Sequence, residues 1–157
     1  MRGTVALLLA LPFVQANAPG PAAAPPVQAQ TQDAALLQFL DQAFDEQIRL
    51  SPEAQTQLGF KTDYDRLDDR TDAAAIRGRE LAERQLRDMR ARFKPEQLGE
   101  SARVSFRLFE YEVERGRDTF RYRQLRFPVS TNGSPAGAIP VLLINNHKVD
   151  SVSDAEA

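Results

Sequence analysis

Apolar residues recur along this chain at helical spacing, and polar or proline-bearing breaks divide them into successive elements. From Thr31 onward, Leu36, Leu37, Leu40, Ala43, Phe44 and Ile48 fall at i, i+3, i+4 and i+7 separations, which predicts an amphipathic helix starting at a Thr31 or Asp33 cap and ending near Leu50. Ser51-Pro52 restarts the chain, because serine caps and proline suits the first helical position; Gly59 then stops a short second helix. Residues 61–72 are polar and suit turns leading to a cap at Thr71 or Asp72. Ala75, Ala82, Leu86, Met89 and Phe93 then line one stripe of a long helix, broken at Lys94-Pro95. A further helix is predicted from Pro95 or Ser101 to Arg123. Phe106, Phe109, Val113, Gly116 and Phe120 form its seam, and Val104, Leu108 and Tyr111 a second strip that lets it meet two neighbours.

Pro128, Gly133, Pro135, Gly137 and Pro140 mark an irregular loop, and the apolar run Ile139–Ile144 reads as helix rather than strand because nothing else in the chain offers it a strand partner. Ser151 or Ser153 caps a last helix start, which the chain leaves after one turn. Helix nucleation is repaid only by further turns, so the expectation is a truncated domain. The fold class is therefore all-α: amphipathic helices that belong to a larger, mostly helical protein.

Two N-terminal segments change the picture. Residues 1–18 read as a secretory signal peptide, with Arg2, the apolar run Val5–Val14 and an A-x-A site ending at Ala18. At about ten residues that run is short of the roughly 20 a spanning helix needs. The expected location is periplasmic or secreted, with cleavage near Ala18 and no membrane attachment afterwards. Residues 19–30 hold four prolines and no charge and read as a linker, leaving 31–157 as the helical region.

Composition narrows the chemistry. The 157 residues include no Cys and one His, so this polypeptide alone lacks the donors for a Cys-His zinc site or a cysteine nucleophile. A net charge of −2 gives no basic excess for a phosphate backbone, so no nucleic-acid partner is expected. Charge is uneven, however: residues 31–76 are net −6 and residues 77–126 net +5, which predicts that the acidic front pairs with the arginine-rich helices.

Individual candidates have simple structural readings. The run Asp63, Asp65, Asp68, Asp69 and Asp72 fails the calcium-loop spacing, since Asp68 stands where glycine is required, and reads as turns and a cap. His147 has no second histidine to join it. Ser130, Ser134, Ser151 and Ser153 lack a nucleophile-elbow context. Asn132-Gly133-Ser134 is a sequon but first of all a turn. Glu110 and Glu114 share a helix face near arginines and read as an ion-paired surface, with Glu112 turned away. No catalytic, cofactor-binding or metal residue is assigned.

Three stretches together resemble a known family. Ser51-Pro52-Glu53-Ala54-Gln55-Thr56-Gln57-Leu58-Gly59, then Tyr64-Asp65-Arg66-Leu67-Asp68-Asp69, then Phe127-Pro128, Ile139-Pro140, His147-Lys148-Val149 and Ser153-Asp154-Ala155-Glu156 are similar, in order and spacing, to the N-terminal part of the bacterial domain-of-unknown-function family eight hundred and eighty-five. The resemblance implies a zincin-like metallopeptidase whose zinc and catalytic motif lie in a C-terminal region that has no counterpart here, with a peptide as substrate of the complete protein. It implies for this chain an exported helical fragment that is not catalytically competent by itself. The alternative is a complete small periplasmic helical binding or interaction module.

Overall fold

The computed structural model describes residues 27–157 apart from Arg126, Pro128 and Asn132; the signal-peptide reading, most of the linker and the sequon asparagine lie outside the described residues. Among the described residues six α-helices follow in order: α1 Val27–Ile48, α2 Pro52–Gln57, α3 Asp72–Arg92, α4 Glu100–Thr119, α5 Pro135–Asn145 and α6 Val152–Glu156. Single 3₁₀ segments, Pro95–Gln97 and Phe120–Leu125, bracket α4. The fold is all-α; the one β-like contact among the described residues is an isolated bridge between Ser130 and Gly133.

The core is a three-helix packing of α1, α3 and α4. Leu36, Phe39 and Ala43 of α1 meet Leu86 and Met89 of α3, Phe93 just beyond it, and Ala102, Phe106 and Val113 of α4, with Leu98 closing the end. Phe39 and Phe93 meet edge to face with centroids 5.9 Å apart, the arrangement aromatic quadrupoles favour. The predicted α3 stripe is buried from Leu86 to Phe93, with Ala82 packed partly against the core and Ala75 exposed at the far end. On α1 the periodicity picked the right helix and a face turned too far round: Leu37 and Phe44 are about half exposed, and Phe39 takes the core position.

Caps explain most boundaries. Ser51 accepts a hydrogen bond from the Ala54 amide, and Thr71 does the same for Ala74. Gly59, at φ +83°, ends α2 in a Schellman motif: the Phe60 amide donates to the Gln55 carbonyl at 2.9 Å and the Gly59 amide to that of Thr56 at 3.0 Å.

Three sequence expectations are corrected. Helix α1 starts at Val27, inside the stretch assigned to the linker, and Asp33 is not its cap. The Asp33 carboxylate instead accepts the Gly99 amide at 2.8 Å, at the start of α4. Helix α5 starts at Pro135, inside the expected loop, because Ser134 caps it by accepting from Gly137 and Pro135 at the first position needs no amide; Pro140 then sits within the helix. Finally, the chain past Thr119 stays helical to Leu125 but winds more tightly.

Candidate functional site

Of the stretches singled out for their motif content, 51–59 and 64–69 lie far in sequence from 147–149 and 153–156, and the fold brings them together. Tyr64 stands at the centre. Its hydroxyl accepts the Lys148 amide at 2.5 Å and donates to the Lys148 carbonyl at 3.3 Å. The His147 imidazole lies on the Tyr64 ring, with centroids 4.0 Å apart and planes 12° from parallel. One His147 ring nitrogen, Nε2, is 2.7 Å from the Asp154 carbonyl oxygen, which fixes it as the protonated nitrogen. Lys61 Nζ reaches Asp154 at 2.6 Å and Asp150 at 3.0 Å. Beneath this joint lies a small cleft of about 210 Å³, bounded by Thr56, Tyr64 and Leu67 on one side and Ile139, Leu142 and His147 on the other.

The electrostatics follow from the pairing. Lys61, aided by the Asp150 amide, holds the Asp154 carboxyl down at about 2, and Asp154 and Asp150 in turn raise the Lys61 ammonium. Because the folded value lies below the ordinary 3.8, the contribution to stability is fully present above pH 3.8 and is lost as the pH falls to about 2. A carboxyl-carbon NMR titration of Asp154 is therefore expected to show its midpoint near pH 2 and to move back toward 3.8 in Lys61→Met; an unchanged midpoint in the variant contradicts the pairing.

The aspartate run is dispersed among separate structural tasks. Asp63 occupies a left-handed turn at φ 51°, a conformation short polar side chains tolerate. Asp68 accepts the Ser51 hydroxyl at 2.9 Å and the Glu53 amide at 3.1 Å, while Glu53 accepts the Asp68 amide, so the two segments staple each other. Asp69 is lowered by the Thr71 hydroxyl and amide and by Arg77, and Asp72 by a two-pronged contact from Arg123 at 2.6 and 3.1 Å. The acidic front does pair with the basic helices: Arg77–Asp69, Arg84–Glu46 and Arg123–Asp72. Glu110 and Glu114 both accept from Arg90, and Glu112 pairs with Arg115. Ser134 and Ser151 are helix caps.

A zinc ion of the kind the resemblance implies does not fit these residues. Among the described residues no group of three or more His, Asp or Glu side chains converges, and Nε2 of the single histidine, His147, is already held on the Asp154 carbonyl.

A second feature is an apolar groove of about 390 Å³ between α3 and α4. Ala75, Gly78 and Ala82 face Val113 and Gly116 across it, and neither glycine has a neighbour that would fill the space of a side chain. Phe120 closes one end, flanked by the guanidinium groups of Arg79 at 4.6 Å and Arg123 at 4.2 Å.

Periodicity pointed to neither the Tyr64–His147 stack nor the Lys61 pairs, because these partners are 83 to 93 residues apart in sequence. The available signal was the motif order, which placed residues of both halves in one series.

A family model described as "Bacterial protein of unknown function (DUF885)" matches residues 52–157. No curated protein and no solved structure matches the chain.

Proposed function

The chain belongs to the DUF885 family of bacterial proteins, and from that premise we propose that it is an exported helical region forming one wall of a peptidase-like protein, with no chemistry of its own. Export rests on the leader-like residues 1–18, and the peptidase-like setting on the resemblance of the motif series. Zinc and the peptide-cleaving groups belong, on this reading, to the C-terminal region of the larger protein, which is also the partner of this chain. No helix among the described residues is long and apolar enough to cross a membrane.

The observation that carries the proposal is the outer face of α4. Phe106 and Val113 are buried in the core, while Val104, Leu108 and Tyr111, at i, i+4 and i+7, stand on the opposite side with 58 to 61% of their surface exposed. An apolar strip at seam spacing on solvent is a docking face for another helix. Sedimentation tests it: the chain is expected to self-associate through this strip, and the double substitution Leu108→Glu with Tyr111→Glu to yield a monomer with unchanged helical content. A wild-type chain that stays monomeric at high concentration contradicts the proposal.

The α3–α4 groove favours a second reading, a small periplasmic binding module. That reading predicts cooperative melting as a monomer together with saturable uptake of an apolar ligand that Gly116→Leu abolishes.

A further inference from the structure

We infer that residues 134–157 form a strap that docks and releases as one unit over the cleft at Thr56 and Leu67, with Lys61 and Tyr64 as its pins. The inference rests on contacts within this chain and is independent of the wall reading above.

The strap is joined to the body by little apolar surface. Leu142 is its one buried apolar residue among the described residues, and Val141, Leu143 and Ile144 of the same helix are about half to four-fifths exposed. What remains, besides the partly buried Ile139 at the cleft, is the His147–Tyr64 stack and polar contacts: the Tyr64 hydroxyl on the Lys148 backbone, and Lys61 on Asp150 and Asp154. The α1–α3–α4 core is joined through Leu36, Met89 and Phe106, which are 2% exposed or less. Elements with few buried apolar contacts open at lower free energy than the core that carries them.

The strap is also tied to itself. The His147 Nε2–Asp154 carbonyl bond at 2.7 Å connects the end of α5 to α6, and Ser151 caps α6 on the Asp154 amide. These bonds survive release, so the strap moves as a body. The bonds that break are to Lys61 and Tyr64. Lys61 and Asp150 are exposed, and their attraction is screened by salt, so release has a salt dependence that the apolar core lacks.

The single histidine makes the test direct, since the imidazole protons of His147 are alone in the proton NMR spectrum and the Tyr64 ring current displaces them only while the strap is docked. In low salt they are expected away from the free-histidine position, moving toward it as sodium chloride approaches 1 M. Over the same range amide exchange in α5 is expected to rise about fivefold while the Met89 and Phe106 amides hold their rates. Lys61→Gln should show the released behaviour in low salt already, and Tyr64→Leu should lose the displacement and speed α5 exchange at every salt concentration. The inference is overturned by histidine signals at the free position in low salt, by α5 exchange insensitive to salt and to Lys61→Gln, or by core amides accelerating together with α5.

Discussion

Replacing Phe106 with alanine is expected to destabilise the fold by about 3 to 5 kcal/mol, which is the range for removing a buried aromatic ring from a packed core. Phe106 is 2% exposed and sits on α4 where α1 and α3 converge, in the same cluster as Leu36 and Met89. The cavity left behind is lined from all three helices, so no single side chain can collapse into it. Since a domain of this kind is stable by only about 5 to 15 kcal/mol, the variant should be largely unfolded well below the wild-type melting temperature. The control lies two residues away: Leu108 on the outer strip is 58% exposed, and Leu108→Ala should change stability by less than about 0.5 kcal/mol. Urea unfolding followed by helical circular dichroism separates the two, and equal losses at both positions contradict the assignment of faces on α4.

The second large effect is expected where α1 meets the start of α4. The Gly99 amide donates to Asp33 Oδ1 at 2.8 Å, and a Cβ at residue 99 would overlap Asp33 Oδ2. Alanine there forces the carboxylate aside, so Gly99→Ala and Asp33→Ala remove the same bond from opposite ends. Each should cost about 1 to 2 kcal/mol, the scale of a lost helix cap. Because the bond can be lost only once, the double variant should cost little more than either single one. Additive losses in this cycle would show that the two residues act separately.

The contrast between these sites shows what the sequence could carry. Helix α3 was legible at both ends, because its cap at Thr71 and its stop at Lys94-Pro95 are local signals and its stripe from Leu86 to Phe93 has one period. Helix α2 was legible for the same reason: Ser51, Pro52 and Gly59 each act within four residues. Asp33 was misread because its position suits a local cap, while its actual partner is 66 residues away. Pro135 and Gly137 suit a loop because either is a breaker in isolation; the Ser134 cap makes them the start of a helix. The two faces of α4 were visible as seam and strip, yet the pattern could not say which of them the chain itself covers. The joint around Tyr64 lay beyond periodicity altogether, because stacking and ion pairing leave no repeat in the sequence.

Side chains that by type invite catalytic or metal readings, Asp68, Asp69, Asp72, Asp154, His147 and Lys61 among them, are engaged in caps, staples and pins. On the proposed reading their chemistry serves to hold the helices of a wall in place, with the reactive groups in another part of the protein.

The most direct test of that division is to purify the chain, load it with zinc, and measure bound metal and peptide hydrolysis in the same preparation. The account predicts no stoichiometric zinc and no turnover of a mixed peptide substrate, with helical content unchanged by the metal. One zinc bound per chain together with peptide cleavage that a chelator abolishes would contradict it.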